Sequence, residues 1–561
     1  MSSGASARPQ TPANRSTPRG ALPVPWPQLS RGRRGWLLDL AALGAGIALA
    51  LAFAPFEQRY LAVLAPAVLF LSWSHARPAR AFWRGFLFGL GLFLFGVSWV
   101  YESIHQFGQV ITALSAFITV GFAALLATFI GMTGLVSVRL APRAPPLLRL
   151  AVIVPALWVL GEWLRGWLFT GFPWLYLAHT QVDSPLRFYA PWGGWMAVSL
   201  AAAITAGLFA WGLYRRRWAV PGAVTLAVVL YAAAAALAEH VPVRPDGPNL
   251  SVSLIQGNVP QVQKQDPNEL PVILARYYQL TRSEFGQDVI VWPESAIPEV
   301  DSRVRRYYLE PLDEQLRDAQ SALALGIFRA RLDEGIFFNS MIGLGLAAGH
   351  YDKRHLVPFG EYFPLRDWLE RFPELVDLPG VDLSHGPDRQ ALMRMGEFPV
   401  GVSICYEGAY AGQVRDALPE AAWLVNASDD TWFGDSFAPH QHLEIARLRS
   451  VETGRYLLRA ANTGISAIVA PDGSVRARLG LFETGTVRGE VTPMTGATAY
   501  VRLGDAPVLA GLALLVLLGT LGGRLGAARK APALASDDAR ASARRDEGRQ
   551  GSGSGSGSGS G

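Results

Sequence analysis

The sequence predicts a protein of two parts, an α-helical membrane domain and an α/β domain outside the membrane. Half of the 561 residues are hydrophobic and only 17% are charged, which is too apolar for a soluble enzyme of this length. The long segment 239–505 has a different sequence pattern, in which short apolar runs alternate with amphipathic stretches. Such alternation is typical of strands that are buried under helices. A chain of this length can hold both parts.

Eight apolar stretches have membrane-spanning character. A helix needs roughly 20 residues to cross a bilayer, and only the second stretch falls clearly short of this length. The first is followed by Ala52-Phe53-Ala54, which also resembles a signal-peptide cleavage site, although Pro55 disfavours cleavage. We therefore expect eight transmembrane helices, seven in a membrane domain at 36–238 and the eighth at 506–525. The stretches lie near 36–54, 60–74, 82–101, 110–137, 151–170, 193–213, 218–238 and 506–523.

The distribution of arginine in the short loops predicts the orientation in the membrane. Five basic clusters alternate with loops that are poor in Arg and Lys, and positively charged loops stay in the cytoplasm. Both termini are then cytoplasmic, and 239–505 lies on the opposite side, which in a bacterium is the periplasmic face of the inner membrane. The clusters are Arg31 to Arg34, Arg77 to Arg84, Arg139 to Arg149, Arg215 to Arg217, and Arg524 to Lys530.

The ends of the chain are predicted to lie outside the folded parts. Residues 1–35 are basic and rich in Pro, Ser and Gly, as is typical of a disordered cytoplasmic leader. Residues 526–549 form a cytoplasmic tail, and the Gly-Ser repeat at 550–561 is interpreted as an added linker. The net charge of +5 is small, so we expect no nucleic-acid partner.

The segment 239–505 is expected to be an extracytoplasmic α/β domain. Its apolar runs predict strands, and three stretches have helical periodicity. The predicted strands lie at 250–256, 289–292, 323–328, 340–346, 400–405, 423–427 and 465–470, and the predicted helices at 268–284, 302–318 and 438–453.

Three of these strands lead into reactive side chains, Glu294, Lys353 and Cys405. Functional sites in α/β sheets gather at the carboxyl ends of strands, so we expect the three to meet. Cys405 is the only cysteine in the chain, and a lone buried cysteine is usually an inert core residue. Lys353 is one of only three lysines among 50 basic residues, so a compact ammonium is favoured there over the guanidinium used elsewhere.

Together the three side chains can carry out acyl transfer. A free thiol is mostly protonated at neutral pH, and Glu294 can take its proton. Attack on an ester then develops negative charge on the carbonyl oxygen, which Lys353 and a backbone N–H after Cys405 can stabilise.

The residues around this triad resemble those of the apolipoprotein N-acyltransferase family, within the nitrilase or carbon–nitrogen hydrolase superfamily. The resemblance covers roughly 36–525. The matching strings are Trp-Pro-Glu-Ser-Ala-Ile-Pro from 292, His-Leu-Val-Pro-Phe-Gly-Glu from 355, Ile-Cys-Tyr-Glu from 404, Gln-Gly-Asn-Val-Pro-Gln from 256 and Asn-Thr-Gly-Ile from 462.

The resemblance implies an αββα sandwich and a ping-pong reaction without metal or organic cofactor. Cys405 would take the sn-1 acyl chain of a phospholipid, typically phosphatidylethanolamine, as a thioester. The α-amine of the diacylglyceryl-cysteine of an apolipoprotein would then receive it. Glu294 would be the base and Lys353 the oxyanion stabiliser. The other implied residues are Glu361, Glu407 and Tyr406 in support, and Trp432, Phe433, Gln256 and Asn258 in substrate binding.

Two positions depart from the family pattern, and two other functions stay open. Gln265 stands where a Trp usually follows, which affects a stacking surface for substrate, and Asp429 adds an acid where Asn is commoner. The same triad would serve a membrane-tethered amidase or nitrilase-type hydrolase in which water resolves the thioester. A catalytically inactive membrane scaffold is the third interpretation, and it predicts a degraded triad, whereas all three members are present.

Overall fold

The computed structural model describes residues 35–522, except 109, 143, 216–218, 332, 364–365 and 367–381. The predicted leader up to residue 34, the tail at 526–549 and the Gly-Ser repeat lie outside the described residues.

The amino-terminal part is a bundle of apolar helices. The four helices from Thr112–Leu140 to Ala219–His240 are long and apolar enough to cross a membrane. A bent pair, Pro78–Gly96 with Trp99–Gln106, makes a fifth span if it is counted as one. The membrane character is confirmed, whereas the count of eight spans stays a prediction. The helices are α1 (Gly35–Ala50), α2 (Leu61–Trp73), α3 (Pro78–Gly96), α4 (Thr112–Leu140), α5 (Pro146–Arg165), α6 (Pro185–Arg215) and α7 (Ala219–His240).

Glycines let α1, α3 and α4 approach closely. A Cβ atom on Gly46 would lie 1.9 Å from the carbonyl oxygen of Phe88, and one on Gly85 would lie 2.5 Å from that of Ile130. Any larger residue at these positions would push the backbones apart. Small residues at such contacts are typical of helix packing in membranes, where close van der Waals contact replaces the hydrophobic effect.

Residues 243–496 form an α/β domain with two seven-stranded sheets and one short two-stranded ribbon among the described residues. The strands are β1 (Val243–Pro245), β2 (Leu250–Gln256), β3 (Val289–Val291), β4 (Ile297–Val300), β5 (Ala322–Arg331), β6 (Ile336–Gly345), β7 (Ala347–Ala348), β8 (His350–Asp352), β9 (Met393–Met395), β10 (Phe398–Ile404), β11 (Trp423–Ser428), β12 (Leu457–Ala461), β13 (Ser466–Val469), β14 (Val475–Leu479), β15 (Gly485–Val491) and β16 (Met494–Gly496).

The two large sheets pack face to face. One has the order β15-β2-β3-β5-β6-β8, with β4 beside β5, and the other has the order β14-β13-β12-β11-β10-β9-β7. Their inner faces share one buried apolar cluster, to which β3 contributes Val291 and β10 contributes Ile404. Helices α8 (Leu270–Arg282) and α9 (Glu310–Asp318) cover the outer face of the first sheet, and α10 (Ala438–Thr453) covers that of the second. The domain is therefore a four-layer αββα sandwich.

The seven strands predicted from apolar runs are present, each with bounds that differ by a few residues at most. The strands that the sequence did not reveal are mostly short or exposed at a sheet edge. In β14, for example, alternate residues are exposed, and β7 and β8 contain only two and three residues. Buried β12 was missed because Arg459 interrupts its apolar run.

Helix α10 joins the two parts of the molecule. Almost all of its residues are buried, and its Gln441 accepts a hydrogen bond from Trp174 Nε1 at 2.6 Å and donates one to the Gly96 carbonyl at 3.0 Å. At its other end, Glu452 accepts a hydrogen bond from the Trp195 backbone N–H at 2.7 Å, where α6 is broken. The last described helix, α11 (Ala506–Gly522), returns to the apolar bundle and is one of its shorter helices.

Candidate active site

Cys405 directly follows β10 in a strained backbone conformation. Its φ is +52°, a value that residues other than glycine rarely adopt. A 3-10 helix, Cys405–Ala409, begins at the cysteine, and the side chain is buried. Such backbone strain is often found at functional sites, where the surrounding structure holds it in place.

Glu294 and Lys353 meet in the same region, as the sequence predicted. Glu294 follows β3 and Lys353 follows β8, and the ammonium Nζ of Lys353 lies 2.9 Å from Glu294 Oε1. The other oxygen of Glu294 accepts a hydrogen bond of 2.8 Å from the Asp429 backbone N–H. Both side chains are buried, so this ion pair is shielded from solvent.

A second carboxylate and an amide complete the surroundings of Lys353. Glu361 Oε1 lies 2.8 Å from Lys353 Nζ, and its Oε2 accepts the Val357 N–H. Asn339 Nδ2 donates to both carboxylates, at 2.8 Å to Glu294 and 3.0 Å to Glu361. Asn339 was not among the residues predicted from the sequence, although the polar pair Asn339 and Ser340 inside the largely apolar β6 was a usable signal, because buried polar groups require partners.

The electrostatic setting keeps the thiol protonated and the ammonium charged. Burial, followed by the negative charge of Glu294, raises the pKa of the Cys405 thiol well above its ordinary value, and Lys353 only partly opposes them. Burial alone would lower the pKa of Lys353, but Glu294 and Glu361 outweigh it and hold that pKa well above the usual range. Burial also raises the pKa of Glu294, although Lys353 counteracts the effect. Cys405 thus needs a base in order to react, and Glu294 has gained basicity.

Glu407 ties the cysteine turn to the loop that carries Lys353. Its carboxylate accepts backbone N–H donors from Ile404 at 2.8 Å, Arg354 at 2.6 Å and His355 at 3.0 Å, and also the Tyr351 hydroxyl. Burial raises the pKa of Glu407, and these backbone donors oppose the shift. Glu407 therefore acts on the cysteine through the backbone.

Aromatic side chains line the junction between the site and the membrane bundle. Tyr406 donates its hydroxyl to the Gly171 carbonyl at 3.2 Å, and its ring lies against Trp174. Phe433 packs edge-on against Trp99 with ring centroids 4.9 Å apart. The neighbouring Trp432 accepts the Ser103 hydroxyl at its carbonyl, 2.7 Å away. Three of the predicted site residues thus lie where the two parts meet.

Gln256 and Asn258 lie in the sandwich, with their amides bonded to protein groups. Gln256 Nε2 donates to the Gly480 and Glu483 carbonyls at 2.7 and 3.0 Å, and its Oε1 accepts the Ser466 hydroxyl. Asn258 Nδ2 donates to the Phe482 carbonyl at 2.6 Å. These contacts anchor the 480–483 segment to the end of β2.

The unusual Asp429 has a buried cationic partner. Lys264 Nζ lies 2.6 Å from Asp429 Oδ2 and 3.4 Å from the Glu294 carbonyl oxygen. Both side chains of the pair are almost fully buried. Because the Asp429 N–H also bonds to the Glu294 carboxylate, the pair braces the segment that carries Glu294. Gln265 ends the same short helix as Lys264, Gln261–Gln265.

The site combines a glutamate, a lysine and a cysteine, each of which follows a strand of a double-sheet α/β sandwich. This combination defines a class of protein, the carbon–nitrogen hydrolases. A family model described as "Carbon-nitrogen hydrolase" matches residues 251–500, which contain the whole site.

A second family model and several relatives give the particular family. The model "Apolipoprotein N-acyltransferase N-terminal domain" matches residues 45–208. A protein named apolipoprotein N-acyltransferase from Methylococcus capsulatus is 41% identical to this chain, and the match covers 84% of this chain and 93% of the relative. A protein of the same name from Azotobacter vinelandii is 38% identical, and the match covers 86% of this chain and 95% of the relative. The protein of that name from Coxiella burnetii is 37% identical, and the match covers 86% of this chain and 99% of the relative. The chain belongs to the apolipoprotein N-acyltransferase family, and it is therefore a membrane enzyme of the acyltransferase class.

Proposed function

We propose that the chain transfers the sn-1 acyl chain of a phospholipid, through a thioester on Cys405, to the α-amine of the diacylglyceryl-cysteine of an apolipoprotein. The product is a triacylated lipoprotein. The observation that carries the proposal is the buried group of Glu294, Lys353 and Cys405 beside an aromatic junction with the membrane bundle. A donor that is dissolved in the bilayer has to reach the cysteine from that direction.

The first half-reaction forms the thioester. Glu294 takes the proton from the Cys405 thiol as the sulfur attacks the ester carbonyl carbon. The negative charge on the carbonyl oxygen is stabilised by the ammonium of Lys353 and the Tyr406 N–H. The carbon–oxygen ester bond then breaks, and the lysophospholipid leaves with the proton from Glu294.

The second half-reaction resolves the thioester. The α-amine of the diacylated apolipoprotein attacks the same carbonyl carbon, and Glu294 accepts one of its protons. The carbon–sulfur bond breaks, the amide forms, and the proton returns to the sulfur of Cys405. These side chains and the two substrates account for every bond and proton, so the proposal includes no metal or cofactor.

Supporting contacts give the other predicted residues their proposed roles. Glu361 keeps the Lys353 ammonium charged, and Glu407 holds the Ile404 N–H directly before Cys405. Tyr406, Trp432 and Phe433 form part of the wall along which an acyl chain would enter. We further propose phosphatidylethanolamine as donor, the bacterial inner membrane as the location, and the periplasm as the side of the catalytic domain.

Product analysis separates this function from the hydrolase alternative. The whole chain in detergent or nanodiscs is incubated with phosphatidylethanolamine that carries a labelled sn-1 chain, with and without a diacylated lipopeptide. The proposal predicts a labelled N-acyl lipopeptide that forms only when the peptide amine is free, and N-acetylated lipopeptide is the matched control. Release of labelled fatty acid at the same rate without the peptide would contradict the proposal and support the hydrolase.

A further inference from the structure

His442 is a buried histidine that contacts the backbone of the reactive cysteine. It lies on α10, and its side chain is 1% exposed. Its Nε2 lies 3.2 Å from the Cys405 carbonyl oxygen, and its Nδ1 lies 3.1 Å from both Asp430 Oδ1 and Arg459 Nη2. The adjacent residue on the helix, Gln441, is the one that bonds to Trp174 of the membrane bundle.

The partners of the ring determine where its proton lies. A carbonyl oxygen can only accept, so Nε2 carries the hydrogen and donates it to Cys405. Burial, followed by the charge of Arg459, lowers the pKa of His442 against the opposing charge of Asp430, which favours the neutral ring. In the neutral ring Nδ1 is an acceptor, so of its two neighbours only the Arg459 guanidinium can donate to it, and Asp430 Oδ1 makes no hydrogen bond to the ring. Arg459 also pairs with Asp430 at 2.7 Å, so the cluster has balanced charges.

The carbonyl that His442 holds belongs to the peptide that joins Cys405 to Tyr406. In a planar trans peptide the C=O and the following N–H point in opposite directions. A donor that fixes the carbonyl on one side therefore fixes the Tyr406 N–H on the other. The conformation at Cys405 is strained, with φ +52°, so it depends on such outside contacts. Asn426 Nδ2 supplies a second and longer contact to the same carbonyl, at 3.4 Å.

We infer that His442 is a positioning residue that holds the Cys405 carbonyl, and thereby aims the Tyr406 N–H at the oxygen of the ester under attack. The inference rests on the proposed function, because that N–H is one of the two proposed donors to the developing negative charge. Arg459, which is itself paired with Asp430, donates to the ring and holds it in place, and Gln441 fixes the same turn of α10 against the membrane bundle.

The single cysteine makes a sharp test possible. Alkylation by iodoacetamide is a displacement at carbon that develops no carbonyl oxyanion, whereas acylation by a phospholipid does develop one. Loss of one oxyanion-hole donor costs about 10²–10³-fold, so a donor that is only misdirected should cost about 10–100-fold. We therefore expect His442→Leu to slow acylation of Cys405 by about 10–100-fold and to leave its alkylation rate within about threefold of wild type.

Two further variants complete the test on the whole chain in detergent. His442→Gln keeps an N–H donor and should recover most of the acylation rate. His440→Leu, two residues away on α10, changes a histidine outside this cluster and should match wild type in both reactions. Equal loss of acylation and alkylation in His442→Leu would overturn the inference, because it indicates a collapsed turn. Acylation of His442→Leu at the wild-type rate would also overturn the inference. If wild type itself formed no acyl adduct, the proposed function would fall, and the inference with it.

Discussion

Lys353 lies between two carboxylates, and this arrangement determines which groups are charged before a substrate binds. Each carboxylate oxygen that faces the ammonium also receives a hydrogen bond from Asn339. The cost of burying the ammonium is offset by Glu294 and Glu361, and the Cys405 thiol stays protonated. The resting site therefore holds a protonated thiol next to a carboxylate that can accept its proton, as the proposed mechanism requires.

Replacement of that carboxylate tests its role as a base. In Glu294→Gln the amide cannot accept the thiol proton, and general-base catalysis typically contributes about 10²–10⁴-fold to a rate. We expect the initial rate of Cys405 acylation by labelled phospholipid to fall by that factor. Glu310→Gln, at an exposed position in α9, is the matched control and should react like wild type. An unchanged rate in Glu294→Gln would assign the base elsewhere.

Asn339 should set the pH at which Glu294 works. Asn339→Leu removes a donor to the Glu294 carboxylate, which disfavours the charged form and raises the pKa of Glu294 further. Because only the carboxylate can act as base, the acid limb of the acylation rate against pH should move to higher pH. We expect the acylation rate at neutral pH to fall by about 10-fold, which corresponds to the loss of one hydrogen bond to a charged group. Asn249→Leu, at an exposed position, should leave the limb in place. If the acid limb of the pH–rate profile of Asn339→Leu stays at the wild-type pH, Asn339 does not set the pKa of Glu294.

At the level of single residues, the sequence located the three proposed catalytic side chains better than the groups that surround them. Glu294 and Cys405 follow predicted apolar strands, and the rule that sites gather at strand ends brings them together, whereas Lys353 follows β8, a three-residue strand that the apolar pattern did not predict. Asn339 and His442 lie inside regular elements, where a polar residue can be a site residue or an ordinary buried one. Gln256 matched a motif, yet its amide bonds within the sandwich. A motif alone does not show whether a side chain faces the cysteine or the sheet.

Among the elements, the short helix Gln261–Gln265 is fastened to the end of β11 by the buried Lys264–Asp429 pair. Removal of one partner from a buried pair leaves an uncompensated charge and costs about 3–5 kcal/mol. We expect Lys264→Met to lower the Tm of the whole chain in detergent by roughly 6–20 °C. Lys264→Met combined with Asp429→Asn should recover most of this loss, because no unpaired charge stays buried.

An exposed ion pair provides the control for this prediction. Arg303 pairs with Glu299 at 3.2 Å, but the Arg303 side chain is 69% exposed. Solvent screening makes such pairs worth about 0–1 kcal/mol, so Arg303→Met should change Tm little. Equal Tm values for Lys264→Met and wild type would show that the buried pair does not brace the Glu294 segment.

Sequence patterns predicted buried elements well and edge elements poorly. The seven predicted strands are apolar over most of their length, and α10 has the predicted bounds 438–453. Edge strands such as β14 carry no such signal, because alternate residues of β14 face solvent. The periodicity of α10 likewise did not indicate that the helix is buried almost all round, since its polar residues Gln441, His442 and Glu452 bond to groups in both parts of the molecule.

At the scale of the whole molecule, the distribution of arginine predicts the side of the membrane on which each part lies. Glu334 is exposed in the α/β domain, and Arg139 is exposed in the last turn of α4, at the end of the helix predicted to be cytoplasmic. In a Cys405→Ser background, an impermeant maleimide added to cells with a permeabilised outer membrane should label Glu334→Cys. It should label Arg139→Cys only after the inner membrane is opened. The reverse pattern would contradict the predicted orientation.

The two parts of the molecule meet at α10 and at the aromatic wall formed by Trp99, Trp174, Tyr406 and Phe433. This junction lies next to the cysteine turn, because Tyr406 follows Cys405 and His442 contacts its carbonyl. An apolar bundle that packs against the site gives a reason for the fusion of the two parts in one chain. A soluble substrate would need no such junction, whereas a bilayer donor does.

The most direct test of this account is the mass of the intact chain after incubation with phosphatidylethanolamine of a single defined acyl composition. We predict a mass increase of one acyl chain that maps to Cys405, is removed by hydroxylamine, and disappears when a diacylated lipopeptide with a free α-amine is added. Cys405→Ser should gain no hydroxylamine-labile adduct. An unmodified wild-type chain that nonetheless acylates the lipopeptide, or an adduct that the lipopeptide does not remove, would contradict acyl transfer through this cysteine.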